Sequence, residues 1–259
     1  MTFHQHPLDD DHWRRFGGID RLYGEGARIA LHRAHIAIVG VGGVGSWAAE
    51  ALARSGVGNI TLIDLDHVAL SNINRQIQAL DSTLGKAKVV ALQERIRDIN
   101  RDCRVSMIEE FLEPDNLAQL IPTATYDAVI DACDEARTKA ALIAYARRNK
   151  VFLAVCGAAG GKRDPLKLRV ADLGLTTHDA LLSRIRSTLR KQFNIQPRKN
   201  GRFGVKCIYL EEPSRRDKSC SSNDLNCAGY GSVVTVTAPM GFAAASLCLE
   251  HLMEQQSQT

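Results

Sequence analysis

No CxxC pair occurs among the seven cysteines, Cys103, Cys133, Cys156, Cys207, Cys220, Cys227 and Cys248. The spacing therefore offers no zinc ribbon, and no structural zinc is expected. The odd count and the polar opening MTFHQHPLDDDHW point to reduced thiols and a cytoplasmic setting. Ligand spacing is equally missing among the eight histidines. His4 and His6 read as part of a flexible arm, residues 1–12, and His67 reads as a surface residue beside Asp66. Charge is absent from Ala228 to Leu249. That length would span a bilayer. Gly229, Gly231, Thr235, Thr237, Pro239, Gly241 and Ser246 interrupt it, so it reads as a strand, 232–236, followed by a buried helix, 239–251.

Acidic residues are missing between Asp179 and Glu211, and the same window carries Arg184, Arg186, Arg190, Lys191, Arg198, Lys199, Arg202 and Lys206. Leu181, Ile185, Leu189 and Phe193 recur every four residues. The first half is expected to be a helix with one buried stripe and arginines on its outer faces. Residues 194–204 are expected to form a basic loop. Solvated helix faces usually mix signs, whereas a one-sign surface attracts a nucleic-acid backbone and releases its counterions. The chain's net charge of +4 would not by itself imply that partner.

The densest signal lies at 36–76. An apolar run, 36–39, leads directly into Gly40, Gly42, Gly43 and Gly45. A helical run follows, then a second apolar run, 60–63, that ends on Asp64. Strand, glycine turn, helix and an acid-tipped strand form a nucleotide fingerprint. Glycines allow a tight turn and bring backbone N–H groups to a phosphate at a helix N-terminus. Asp64 stands where a ribose hydroxyl would be held. Asp66, Asn72, Arg75 and Gln76 follow, with polar Asn74 between them, then Lys88, and these five, Asn74 aside, are expected at the nucleotide. Cations close behind such a fingerprint suit a triphosphate under attack better than a dinucleotide. ATP is the expected nucleotide, with Asp66 placed to help hold Mg²⁺.

GVGGVGS, LIDLDHVALSNINRQ, GKAK and VIDACDEARTKAAL together resemble the ubiquitin-activating-enzyme-like (ThiF/MoeB/HesA) superfamily, whose members adenylate a carboxylate with ATP. The resemblance implies a ribose contact for Asp64 and phosphate contacts for Arg75 and Lys88. It also implies a catalytic role for Asp134, with Asp131 just before it. RRFGGIDRLYG, NRQIQAL, AALIAYARRNK, CGAAGGKRDPLKLRVADL and NCAGYGSVVTVTAPMGFAAAS are more closely similar to one branch, the tRNA threonylcarbamoyladenosine dehydratases. That resemblance covers nearly the whole chain. It implies ATP-dependent cyclisation of threonylcarbamoyladenosine next to the tRNA anticodon, a homodimer and a sulfur-relay protein partner. Several superfamily members place an arginine in the partner subunit's ATP site. The comparable position here is Gly18, with Arg15 and Arg21 nearby. The alternative activity is adenylation of the C-terminus of a ubiquitin-like sulfur carrier, in which Cys220 or Cys227 would serve as a transfer thiol.

The remaining pattern is a βαβ rhythm. Helices are expected at 13–30, 86–100 and 134–149, with a short one opened by Pro114, and strands at 105–108, 126–130 and 151–155. This predicts an α/β, Rossmann-like, mainly parallel sheet with helices on both faces and ligands beyond the strand C-termini. No long linker or internal repeat appears. One adenylating domain is expected over 13–259, with a nucleotide-binding core at 29–155. Residues 156–259 would extend the sheet and carry the tRNA surface.

Overall fold

The computed structural model describes residues 10–215 and 230–256. The expectations for His4, His6, Cys220 and Cys227 fall outside them.

Seven strands among the described residues form one sheet in the order β3-β2-β1-β4-β5-β7-β6. They are β1 His35–Val39, β2 Asn59–Ile63, β3 Arg104–Ile108, β4 Ala128–Asp131, β5 Leu153–Cys156, β6 Leu168–Asp172 and β7 Lys206–Leu210. All pairings are parallel except β6 with β7. β1, β2, β4 and β5 are nearly continuous apolar runs because helices cover both faces, leaving no solvent side on which to alternate. Chain order reverses between β1 and β4, so the crevice opens beyond their C-terminal ends. The C-terminal part extends the sheet, as expected, through β7 and the antiparallel β6.

The helices are α1 Asp10–Tyr23, α2 Ala27–Arg33, α3 Gly45–Arg54, α4 Lys88–Ile99, α5 Leu117–Leu120, α6 Ala136–Asn149, α7 Ala180–Gln192 and α8 Val234–Gln256. One face of the sheet is buried under α2, α3, α4 and α8, in a cluster that includes Leu52, Leu92, Met240 and Leu252. The other lies under α5, α6 and α7, in a cluster that includes Leu142, Ile143, Leu182 and Leu189.

Four expectations are corrected. The helix over 13–30 is two helices, because Gly24 and Gly26 take φ of +100° and +87° and break the run. Residues 10–12, expected in a flexible arm, form the first turn of α1, with His12 buried. The short helix at Pro114 begins at Leu117. No strand forms at 232–236. Residues from Val234 onward belong to α8, which runs through Pro239. Proline removes one helical hydrogen bond; packing against α3 and the sheet outweighs that loss. α8 is the one helix among the described residues long and apolar enough to cross a membrane, and 61% of that window is buried inside the protein.

Candidate active site

β1 ends at Val39 and the chain turns immediately. Gly40 takes φ +79°, and a Cβ there would lie 2.9 Å from the Cys133 backbone nitrogen. The glycine turn thus packs directly on the turn that follows β4. At Gly45, the first residue of α3, a Cβ would come within 1.9 Å of the Gly40 carbonyl oxygen. Only glycine lets the helix start this close to the strand end, which aims its N-terminal N–H groups into the crevice.

Asp64, at the end of β2, clamps this turn from the other side. Its Oδ2 accepts from the Val41 N–H at 2.7 Å and its Oδ1 from the Asp66 N–H at 2.9 Å. Burial pushes the Asp64 carboxyl upward, against the Lys88 charge and those two N–H groups. Each oxygen keeps a lone pair for a hydroxyl donor. Lys88, the first residue of α4, is buried and places Nζ 2.7 Å from Asp66 Oδ2.

Arg75 follows the 3-10 turn Leu70–Asn72. Its carbonyl is held by Trp47 Nε1 at 2.9 Å and by Thr237 Oγ1 at 3.3 Å. Its guanidinium donates to the Ser71 carbonyl and to Asn74 Oδ1, and among the described residues it makes no ion pair with a carboxylate. It is a fixed but electrically unspent cation above Gly43, where a Cβ would meet the Arg75 Cγ at 3.4 Å. Gln76 is buried and accepts from Gln78 Nε2, which also donates to the Val41 carbonyl at 2.9 Å.

The asparagines are used locally. Asn72 Oδ1 accepts from the Ala69 N–H at 3.0 Å, and Asn74 Nδ2 donates to the Ser232 carbonyl at 2.7 Å. Asn72, expected at the nucleotide, here caps the 3-10 turn that carries Arg75.

Asp131 and Asp134 separate. Asp131 is fully buried, with Oδ1 2.8 Å from Lys139 Nζ, so it presents no atom to a ligand. This corrects its expected place among the nucleotide contacts. Asp134 is exposed three residues later and, among the described residues, has no hydrogen bond or ion pair. An unengaged carboxylate beside the glycine turn fits a divalent cation carried on nucleotide phosphates. The next residue, Glu135, caps α6 through the Arg137 and Thr138 N–H groups.

Arg15 bonds Asp11 and the Ile99 carbonyl, at the far end of α4 from Lys88. Within this chain it lies away from the crevice.

The basic window also divides. On α7 the buried positions are Leu182, Ile185 and Leu189, while Leu181 and Phe193, expected in the stripe, are only half-buried. The 3.6-residue period drifts off a strict four-residue spacing. Arg184 and Lys191 are exposed. Arg186 turns inward and donates to the Leu173 and Thr176 carbonyls and to Thr176 Oγ1, so its expected nucleic-acid contact is corrected to a structural one. Arg190 lies over the Phe203 ring, 5.6 Å from its centroid. Arg198, Lys199, Arg202 and Lys206 are exposed.

Sequence reasoning missed Trp47, Gln78, Lys139 and Thr237. Lys139 sits in an apolar helical run, where an isolated lysine hints at a buried partner, but the partner is not readable. Trp47 and Thr237 meet Arg75 from distant segments.

The ThiF family matches residues 18–258. The Escherichia coli protein called tRNA threonylcarbamoyladenosine dehydratase is 46% identical over 261 residues, covering 96% of this chain and 97% of that one. A crystal structure of the E. coli protein in complex with ATP superposes with a TM-score of 0.90 at 44% identity, covering 98% of this chain and 100% of that chain. The complex with AMP gives 0.91 at 45% identity, with the same coverage.

Proposed function

We propose, since the chain belongs to the ThiF family, that it is an ATP-dependent tRNA threonylcarbamoyladenosine dehydratase that works through carboxylate adenylation. The observation that carries the chemistry is the convergence of the glycine turn, Asp64, Arg75 and Lys88 at one end of the sheet. ATP comes to this chain from the relative crystallised with it.

A free carboxylate is a poor electrophile because its leaving group would be oxide. In the proposed reaction the substrate carboxylate attacks the α-phosphorus of ATP. A carboxylate–phosphorus bond forms, and the bond to pyrophosphate breaks with its electron pair. The acyl-adenylate then has AMP as its leaving group. A nucleophile of the carbamoyl group on the same modified base attacks the acyl carbon, loses its proton and expels AMP. The net change in the base is loss of one water. Closure is intramolecular, so proximity supplies much of its rate and no transfer thiol is required.

Asp64 holds the ribose. Glycine-turn N–H groups, Arg75 and Lys88 oppose the charge that builds on the phosphates. Asp134 would hold Mg²⁺, which when bound supplies further charge neutralisation on the phosphates. The exposed cations Arg184, Lys191, Arg198, Lys199, Arg202 and Lys206 are proposed to meet tRNA phosphates. A homodimer, a sulfur-relay partner and a cytoplasmic location belong to the same reading.

Pyrophosphate release from ATP is the deciding assay, run with threonylcarbamoyladenosine tRNA, with a ubiquitin-like carrier protein and with neither. Release only with the tRNA, together with loss of one water mass from the base, is expected. Release only with the carrier would overturn the reading in favour of a sulfur-carrier activator.

A further inference from the structure

The basic segment after α7 is a built turn. The Arg198 N–H donates to the Arg202 carbonyl, and the Gly201 N–H donates back to the Arg198 carbonyl, both at 2.8 Å. Gly201 takes φ +77° to close it. Below the turn, Phe203 is fully buried. Its carbonyl accepts from Arg147 and its ring lies under Arg190.

One carboxylate anchors the structure. Asp172, the last residue of β6, accepts four backbone N–H groups. Oδ1 takes those of Gly174 at 2.9 Å and Phe203 at 2.7 Å; Oδ2 takes those of Gly204 at 2.7 Å and Val205 at 3.1 Å. The turn also sits so close to the 3-10 segment Leu173–Leu175 that a Cβ on Gly174 would lie 1.9 Å from the Gly201 carbonyl oxygen.

Arg198, Lys199 and Arg202 are all exposed within five residues. Like charges held this close repel, and a free loop would spread them apart. Here Asp172 and the Phe203 plug fix the backbone first. Cations on a pre-set turn lose less conformational freedom when a polyanion binds.

We infer that Asp172 is a positioning residue for substrate: it holds Arg198, Lys199 and Arg202 on a rigid turn that docks against an RNA phosphate backbone. This rests on the tRNA reading above. Asp172 touches no RNA itself; its effect passes through the turn.

The experiment compares three full-length variants with the natural protein. Asp172→Ala removes the anchor and leaves the three cations. Gly174→Ala pushes on the turn while leaving both Asp172 and the cations, and serves if Asp172→Ala does not fold. R198A/K199A/R202A removes the charges and leaves the anchor. Readouts are amide exchange at 198–205, KM for tRNA against kcat, the salt dependence of tRNA affinity, and ATP affinity.

Asp172→Ala or Gly174→Ala is expected to speed exchange at 198–205 and raise KM for tRNA about 5- to 10-fold, with kcat and ATP affinity unchanged. The triple variant is expected to lower the salt slope by about 0.7–0.9 for each RNA phosphate it no longer neutralises. Faster exchange with an unchanged KM for tRNA, while the triple variant still raises it, would overturn the positioning role and leave the tRNA surface standing. A triple variant with unaltered tRNA affinity and salt slope would sink the surface itself. Failure of the dehydratase reading is distinct: no variant, and not the natural protein, would release pyrophosphate in response to tRNA.

Discussion

Lys139 Nζ lies 2.8 Å from Asp131 Oδ1, and both side chains are wholly buried beneath the end of β4. The same ammonium donates to the carbonyls of Asp131 at 3.1 Å and Cys133 at 3.0 Å. Burial is the largest influence and disfavours its charge, but Asp131 together with the neighbouring Cys133 and Cys156 outweighs it and holds the Lys139 pKa above the ordinary lysine value. This ion pair ties α6 to the turn that carries Asp134 and packs on Gly40.

Lys139→Met leaves the Asp131 charge buried without its partner. A loss of about 3–5 kcal/mol is expected from urea unfolding. Adding Asp131→Asn to the same chain should recover part of it, because the stranded charge is gone. A double variant less stable than Lys139→Met would contradict the pairing argument.

Arg75→Ala removes the cation proposed to meet the phosphates without removing any carboxylate's partner. Single-turnover dehydration of threonylcarbamoyladenosine tRNA should slow about 10²–10³-fold, with little change in thermal stability. Lys88→Ala should slow it similarly. Single Cys220→Ala and Cys227→Ala variants should cyclise near the natural rate, since the ring closes within the substrate. A dead cysteine variant beside a near-normal Arg75→Ala would favour a thioester route.

Two glycines of the turn should respond differently. A Cβ at Gly45 meets the Gly40 carbonyl oxygen at 1.9 Å, whereas at Gly42 the nearest atom is Gln76 Nε2 at 3.7 Å. Gly45→Ala should cost stability at or beyond the upper end of about 1–3 kcal/mol. Gly42→Ala should fold normally and change only nucleotide affinity. Equal melting temperatures for the two would refute the close-approach argument.

Glu50 gives a pH test. Burial pushes its carboxyl upward, but hydrogen bonds and charge from Arg95 and Arg54 outweigh that and hold it below the ordinary glutamate value. A depressed carboxyl stabilises the fold fully above its unfolded pKa, about 4.3. That contribution is lost as pH falls through the folded value. The difference in urea midpoint between the natural protein and Glu50→Gln should therefore be constant near neutrality and shrink below about pH 4. A difference that widened on acidification would reverse the sign of this account.

The sequence alone determined the alternation of strands and helices from β1 to β5, but not β6 or β7, together with the glycine turn, the acid at the end of β2 and the placement of Arg75 and Lys88 behind it. These are local: periodicity, glycine spacing and strand ends are written in consecutive residues. Only the tertiary structure decided how charges are spent. Asp131 and Asp134 are three residues apart in one motif, yet one is buried against Lys139 and the other is open. Arg184 and Arg186 belong to one basic run, yet one faces solvent and the other satisfies the Leu173 and Thr176 carbonyls. Residues 234–236, expected to close a strand, instead open α8 because α3 and the sheet supply the packing. Each outcome depends on partners distant in sequence, and burial, unlike period, is a property of the assembled fold.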